Sequence, residues 1–395
     1  MKVQDAAIIT ELTARNIRIG FQKANITQIL PAPNTSDAYP VFTMQEIDAP
    51  ASALAAGKSG KFYQNNAQAR TRTFQRPKTS HYMEWELDDG EDLAMLEKLT
   101  SEGDADGILT MYYALRLLTP TEPIAANVAP AVWIDLDDVI SKIGWSPRSA
   151  TERQEMRGQI YNYLKIIDRG KVRGVRSGLK IDPDTRKTMD TRIDAAIWRL
   201  GATESDAQPS LLYDVPRSVE LLLSREWIPF LTDPRLVQFL PMGELLGSIP
   251  ANQPRGAWAR VIGVEIANFW RRNPRETKDR TMFPTRRELL TRYIPKKAPL
   301  DEILKSDNPA HARDYWKEAL KLLVIEGFLA NEGEAKKPNA TEMPRYRWAD
   351  AWLDERVKLY PGAKMAPAIA ERAQRLPAIK ARDLTAKPRK TRSKT

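Results

Sequence analysis

Histidine and tyrosine are the side chains through which this chain could do metal or covalent chemistry, and their spacing argues against both. A metal-dependent strand-cleaving site needs two histidines one residue apart beside a tyrosine, whereas His81 and His311 are distant in sequence. Tyr112 and Tyr113 follow helical core spacing, which indicates packing and not a nucleophile. No cysteine is present, so thiolate metal sites and cysteine nucleophiles are excluded. We expect no enzymatic activity, no bound metal and no cofactor.

A phosphate-binding loop is the second chemistry to consider, at Gly57-Lys58-Ser59. That motif needs a further glycine five residues before Gly57, where Ser52 stands, and a helical pattern after it. Neither is present. Residues 51–60 are mostly small, so the sequence predicts a flexible linker there.

Side chains suited to DNA recognition cluster on one candidate helix, opposite its apolar residue Ile160. Glutamine and asparagine can hydrogen-bond to adenine edges, and threonine can contact the methyl group of thymine. Arginines near the start of the helix would reach phosphates. The predicted contacts on this helix and the turn before it are Arg148, Thr151, Arg153, Gln154, Arg157, Tyr161 and Lys165.

The sequence from Trp133 to Arg176 predicts the elements that must position these side chains, in the order strand, short helix, turn, long helix and basic hairpin. Asp135 stands at the N-cap position of the short helix, and Ser149 stands at that of the long one. Residues 144–147 contain glycine and proline and end the short helix. The hairpin is basic and punctuated by glycine, as expected of a wing along phosphates. Its predicted contacts are Arg169, Lys171, Arg173 and Arg176.

The same pattern occurs a second time along the chain. A shift of 150 positions places Asp135 on Thr285, and a shift of 160 aligns the long helices, so the second copy has a longer turn. Strands are predicted at residues 327–329 and 346–348, with Lys336 and Lys337 at the tip of the loop between them. The predicted contacts in this copy are Arg286, Arg287, Lys296, Lys297, His311, Arg313, Lys317, Lys321, Lys336 and Lys337.

The fold class predicted from these patterns is α+β, mainly helical, with two tandem winged-helix domains. Residues 81–205 form the first domain and residues 251–360 the second, joined by a connector over 206–250. Residues 1–80 are interrupted by prolines and are predicted to be a largely irregular N-terminal arm. Residues 361–395 are predicted to be a basic, disordered tail.

Charge and hydropathy restrict the kinds of partner. The chain has 395 residues, with 61 Lys and Arg against 51 Asp and Glu, and a formal net charge of +10. This excess favours a polyanionic partner. No apolar run approaches the ~18 residues that a membrane-spanning helix needs, and the first residues have no signal-peptide core. We expect a cytoplasmic protein, associated with nucleoid or plasmid DNA, that does not bind membranes.

In the order of these elements, the chain resembles the plasmid replication initiators with tandem winged-helix domains, in particular the broad-host-range class. The resemblance covers about residues 82–359 and is clearest at Ile143-Gly144-Trp145-Ser146, which is similar to a Leu-Gly-Trp-Ser turn in these initiators. It implies binding to repeated double-stranded DNA sites at an origin, melting of an adjacent AT-rich stretch, and recruitment of host helicase or initiation proteins. It also implies inactive homodimers, joined through the first domain, that act as monomers.

Two alternatives stay open at this point. A winged-helix transcriptional or partition regulator would bind a promoter or a centromere-like array without opening the strands. One winged helix could instead bind protein, and this alternative is stronger for the second copy, because Asp314 and Glu318 on its reading face are unfavourable in a DNA groove. These acidic residues and the long N-terminal segment depart from the initiator pattern.

Overall fold

The fold is given by a computed structural model, which describes residues 39–42, 45–88, 90–119, 130–181, 188–206, 215–232, 237–273, 283–295, 297–331 and 348–375. It combines helices with antiparallel sheets, which confirms the predicted α+β class. None of the described helices has both the length and the apolar composition needed to cross a bilayer. The predictions for Lys296, Lys336 and Lys337, and for residues 376–395, fall outside the described part of the chain.

Strands and helices are mixed up to residue 240, and from residue 242 onward the described elements are all helices. The helices are α1 (Gln45–Ala56), α2 (Leu93–Ser101), α3 (Ala105–Leu118), α4 (Leu136–Lys142), α5 (Ala150–Arg169), α6 (Ile228–Thr232), α7 (Met242–Gly247), α8 (Pro254–Arg272), α9 (Arg286–Thr291), α10 (Leu300–Lys305), α11 (His311–Ile325), α12 (Trp348–Asp354) and α13 (Ala366–Arg375). The strands are β1 (Tyr39–Phe42), β2 (Tyr63–Asn66), β3 (Thr71–Phe74), β4 (Tyr82–Glu86), β5 (Ala131–Asp135), β6 (Gly170–Ile181), β7 (Thr188–Ala195), β8 (Trp198–Glu204), β9 (Ser218–Leu223) and β10 (Val237–Leu240).

The described strands form three antiparallel sheets. The largest has the order β2-β3-β4-β6-β7, the second has the order β5-β9-β8, and β1 pairs with β10. The predicted strand at Trp133 is β5, which confirms that prediction. The hairpin predicted to end at Arg176 is not formed there, because residues 170–176 belong to one long strand, β6, which forms a hairpin with β7 further along the chain. The hairpin begins inside the large sheet, because β6 also pairs with β4 and Val172 is fully buried.

The segment from residue 45 to residue 80 is ordered, which corrects the expectation of an irregular arm and a flexible linker. Helix α1 lies in the core, with Ala53 and Leu54 almost completely buried. Its small residues permit very close packing. A Cβ added to Gly57 would lie 2.2 Å from the carbonyl O of Thr100, and one added to Gly103 would lie 2.4 Å from that of Leu54. The small residues that are typical of a linker instead allow the backbone of this segment to pack directly against neighbouring backbone.

The predicted connector over 206–250 is also part of the fold. Strand β9 is the central strand of its sheet, and its burial alternates along the strand, with Val219, Leu221 and Leu223 inside. Strand β10 pairs with β1, far away in sequence. Each strand hydrogen-bonds to a distant segment, so neither can act as a tether between separate domains.

In the second half of the described chain, from α8 to α13, the helices were predicted better than the strands. Thr285 and Glu288 form a capping box at the start of α9, which confirms the predicted cap. The only β pairing described for residues 283–331 and 348–375 is two single bridges, Thr285 with Arg356 and Leu329 with Pro361. The predicted return strand at 346–348 is wrong at its described residue, because Trp348 begins α12. The described part of the predicted tail contains α13, with Ile369 buried.

A single hydrophobic core joins the two halves. It extends from Ile47 in α1 to Ile369 in α13. Helix α8 is central to it, with Trp258 and Trp270 completely buried. Ridges of α8 pack against α11, and its other contacts include α3 from the first half. The two segments predicted to be helix-turn-helices therefore pack on one continuous core.

Candidate nucleic-acid interface

The start of α5 is an exposed and capped helix N-terminus. Ser149 accepts a hydrogen bond from the backbone N–H of Glu152 at 3.1 Å, which confirms the predicted cap. The Glu152 carboxylate accepts another from the N–H of Arg148 at 2.6 Å. Arg148, Ser149 and Thr151 are all exposed. The positive end of the helix dipole faces solvent here, in a position that favours an anion.

The turn that leads into α5 is anchored in the core by Trp145. This side chain is buried, and its Nε1 donates a hydrogen bond to Oδ2 of Asp106, 3.0 Å away. Gly144 before it has a φ of +71°, a conformation that glycine adopts without steric cost. The turn therefore sets the position at which α5 leaves the core.

A cleft of about 1090 Å³ lies beside the start of α5. One wall is the turn with the first residues of α5, and the other includes residues 247–253 and Lys297. Arg148, Arg153 and Lys297 line the cleft and are exposed. Within the described ranges, no carboxylate forms an ion pair with the side-chain nitrogens of Arg148 or Lys297, although the backbone N–H of Arg148 donates to Glu152. The lining also contains the carboxylates of Asp137, Glu152 and Glu155, so the cleft has no formal excess of positive charge, and a polyanion would be attracted locally by Arg148 and Lys297.

Arg153 and Arg157 were both predicted to contact phosphates, and only Arg153 is placed to do so. The Arg153 side chain is 53% exposed and lies 3.9 Å from Asp137. Arg157 is 5% exposed and donates to both oxygens of Asp137, at 2.8 and 2.5 Å, and to Asp206 at 2.7 Å. The hydrogen bond from Arg157 lowers the pKa of the Asp137 carboxyl. Arg157 is therefore corrected to a structural residue, because burial between two carboxylates keeps it from a phosphate.

The middle of the α5 reading face is more covered than its start. Gln154 is half-buried, and its Oε1 has no hydrogen-bond partner among the described residues. Tyr161 packs against the core, with Nζ of Lys165 4.2 Å from its ring centroid. Val215 passes the helix at Gly158, where an added Cβ would lie 3.5 Å from its Cγ2. Contact with a ligand along this face is thus easiest at its first turn, at Thr151.

Most of the basic residues that were predicted to contact DNA from the hairpin form ion pairs within the protein. Lys171 lies 2.7 Å from Glu86, and this hydrogen bond lowers the pKa of the Glu86 carboxyl. Arg173 contacts Glu84 at 2.6 Å as well as Glu86 and Asp194. The two glutamates come from β4, whose pairing with β6 brings them opposite the basic residues. The other two predicted contacts are Arg169, which pairs with Glu91, and Arg176, which lies in β6 opposite Thr191.

Arg286 and Arg287 of the second half are also bound within the protein. The Arg286 guanidinium lies 5.5 and 5.2 Å from the ring centroids of Trp316 and Trp352, and it donates to Glu355 at 2.5 Å. It is buried, which corrects its prediction as a phosphate contact. Arg287 pairs with two carboxylates at 2.8 and 2.6 Å. The aromatic and acidic partners lie 30 to 69 residues away, so the sequence gave no local sign of them.

The predicted contact residues on α11 differ in exposure and in their interactions with neighbouring side chains. His311 is exposed, with Nε2 3.0 Å from Nδ2 of Asn308, and Lys317 is exposed as well. Lys321 lies 3.1 Å from Glu318, and the Arg313 guanidinium lies 4.2 Å from the ring centroid of Trp348. Lys317 is therefore the α11 cation least engaged by its neighbours.

A chain of direct contacts links the residues beside the cleft to α11. Lys297 lines the cleft, and the next carbonyl, of Ala298, accepts a hydrogen bond from Nε1 of Trp258 at 2.9 Å. The Trp258 ring lies 6.0 Å from that of Tyr315 on α11. The structure thus brings Lys297, a second-half residue, to the start of α5. Sequence reasoning placed these residues in separate domains.

Asn252 and Gln253 are polar residues in the cleft that sequence reasoning missed. They line the wall opposite α5, directly before α8. Their amide side chains could hydrogen-bond to base edges or to phosphates. The only sequence signal was their position ahead of a helix, which is also typical of capping and turn residues.

Comparison with known proteins adds little to this geometry. No family model matches the sequence, and no curated protein matches it. Domains 2 and 3 of RctB, in a crystal structure of selenomethionine derivatives, align at 12% identity with a TM-score of 0.25. The alignment covers 46% of this chain and 60% of that chain, which is less than two thirds of its length. A TM-score this low carries no argument about fold or function.

Proposed function

We propose that this protein binds double-stranded DNA in a sequence-specific manner through the start of α5. The observation that carries the proposal is the exposed, capped N-terminus of α5 on a cleft with three exposed cations, Arg148, Arg153 and Lys297. The order of α4, turn, α5 and the β6–β7 hairpin is that of a winged helix, in which the second helix enters the major groove.

Two kinds of contact have separate roles in this proposal. The arginines and the helix N-terminus bind phosphates and fix the register of the protein on the duplex. Thr151, which is exposed, contacts base edges, and Gln154 does so once its buried Oε1 turns outward. A good bidentate contact discriminates between bases by about 1–3 kcal/mol. Helix α11, with His311 and Lys317, contacts a second part of the same site.

We further propose that the protein is a plasmid replication initiator that binds repeated origin sites and promotes local melting. The turn at Ile143-Gly144-Trp145-Ser146, buried at Trp145 and placed directly before α5, supports this role. So does the recurrence of cap and long helix at α9 and α11. Host helicase or initiation proteins would act on the opened strands.

The experiment is selection of DNA fragments from the protein's own replicon, followed by permanganate footprinting on supercoiled DNA. An initiator enriches tandem repeats beside an AT-rich stretch and exposes unstacked thymines there. A regulator protects its site without thymine reactivity. Enrichment no greater than that of random fragments of equal length, at about 150 mM salt, would refute sequence-specific binding.

A further inference from the structure

One buried carboxylate joins the two halves of the molecule directly beneath the cleft. Asp106, in the first turn of α3, is 4% exposed. Its Oδ2 accepts the hydrogen bond from Nε1 of Trp145, which holds the turn before α5. Its Oδ1 lies 3.1 Å from Nη1 of Arg260 in α8. A single side chain thus links α3, the α5 turn and α8.

Arg260 extends this link to the opposite wall of the cleft. The side chain is 2% exposed, and both Nε and Nη2 donate to the carbonyl O of Ile249, at 3.1 and 2.6 Å. Ile249 lies in the 247–253 segment that faces α5 across the cleft. Both walls are therefore tied to the same ion pair.

The backbones of the two halves also meet with no space between them. A Cβ added to Gly144 would lie 1.9 Å from the carbonyl O of Gly247, and one added to Gly247 would lie 2.6 Å from that of Lys142. Further along α8, a Cβ on Gly263 would lie 3.4 Å from Cδ2 of Leu323 in α11. Close contact thus runs from the α5 turn through α7 and α8 to α11.

We infer that Asp106 and Arg260 are positioning residues that hold α5 and α11 at one fixed separation and angle. A buried ion pair is a poor source of stability, because its desolvation offsets much of its attraction. Its hydrogen bonds are directional, and four of them converge here and join four segments of the chain. An apolar contact of similar size would permit sliding and rotation. For DNA binding, this consequence rests on the proposed function: because the two helices are held rigidly, the protein recognises the two parts of a site at one spacing only.

The separation of the helices can be measured without DNA. The chain has no cysteine, so Thr151→Cys and Lys317→Cys place two spin labels at exposed positions on α5 and α11. Double electron–electron resonance on this protein is expected to give one narrow distance distribution. Adding Asp106→Ala with Arg260→Met, which removes both charges together, is expected to widen that distribution about twofold or to shift its maximum.

The matched control is Arg199→Gln, which removes a partly exposed pair with Asp168 in the last turn of α5 and is expected to leave the distribution unchanged. Trp145→Phe removes only the indole donor and is expected to widen the distribution less. If circular dichroism shows that the double variant does not fold, the distance distribution of the Trp145→Phe variant tests the inference instead. A folded variant of either kind with the original narrow distribution overturns the inference.

The DNA measurement uses the selected site with base pairs inserted between its two parts. Two inserted base pairs move one part by about 7 Å and rotate it by about 70°. The wild type is expected to lose affinity by about tenfold or more, and the Asp106→Ala, Arg260→Met variant by only about threefold. Equal losses would overturn the inference. If the wild type selects no sequence at all, the proposed function fails, while the spin-label distances still test the coupling.

Discussion

Arg153 and Arg157 lie one helical turn apart on α5, and burial gives them different roles. Arg153 is largely exposed beside the cleft, where its only carboxylate neighbour within the described ranges is Asp137 at 3.9 Å. An exposed pair at that distance contributes little to stability. Arg157 is enclosed by Asp137 and Asp206 and ties α5 to α4 and to the residues after β8. One arginine is available to a ligand, and the other maintains the helix.

Replacing Arg153 by alanine is expected to weaken binding to all DNA sequences alike. Loss of one phosphate contact should reduce the slope of log affinity against log salt by about 0.9. The matched control is Arg199→Ala, because Arg199 is 54% exposed and lies away from the cleft. Filter binding or fluorescence anisotropy at several salt concentrations measures the slope. Equal slopes for the two variants would show that Arg153 does not contact phosphate.

Asp137→Asn is expected to lower stability in a pH-dependent manner. The pKa of Asp137 in the folded protein is lowered, chiefly by the hydrogen bond from Arg157, so the ionised carboxylate stabilises the fold. This contribution is complete above the unfolded pKa of about 3.9 and is lost as pH falls through the lowered folded value. We expect a difference of about 1–2 kcal/mol at pH 7, since the pair is only partly shielded from solvent. Urea unfolding at pH 7 and below pH 4 measures it, and a difference that grows in acid would contradict the assignment.

At the scale of elements, close helix packing decides what the small residues do. Helix α1 can be buried because glycine and alanine allow its backbone to touch neighbouring backbone, as Gly103 does at Leu54. Helix α5 is different. It contains Gly158, where an added Cβ would be in ordinary van der Waals contact with Val215 at 3.5 Å, so that glycine is not required by contact.

Gly103→Ala is expected to destabilise the protein by about 2–3 kcal/mol, because the new Cβ would stand 2.4 Å from a backbone oxygen that cannot move independently. Gly158→Ala is the control and should stabilise α5 by up to about 1 kcal/mol, since alanine favours helix. Denaturant unfolding of the two variants gives both values. A neutral Gly103→Ala variant would mean that α1 does not pack as described.

At the scale of the whole molecule, the core is continuous across the segments in which the sequence predicts two domains. Helix α8 packs with α3 from one half and with α11 from the other. Asp106 and Arg260 pair between the halves where water is excluded. Separating the halves would expose apolar surface and leave two charges buried without partners.

We therefore expect thermal unfolding of the described body to be one cooperative transition. The calorimetric enthalpy should equal the van't Hoff enthalpy, and circular dichroism and tryptophan fluorescence should give the same midpoint. Differential scanning calorimetry makes the comparison. Two separated transitions would show that the halves are independent units, as the sequence suggests.

The sequence by itself determined the local features of this protein. The caps at Asp135, Ser149 and Thr285 and the long amphipathic helices depend on residues within a few positions of one another. Propensity and side-chain hydrogen bonds act at that range, so these predictions are confirmed.

Only the tertiary structure decided which cations are exposed and which segments are core. Arg157 meets Asp206 and Arg286 meets Glu355 across 49 and 69 residues, and a linear pattern gives no measure of such pairing. The burial of α1 and the central place of β9 likewise follow from partners distant in sequence. Burial and ion pairing are properties of neighbours in space, and for this chain those neighbours come from both halves at once.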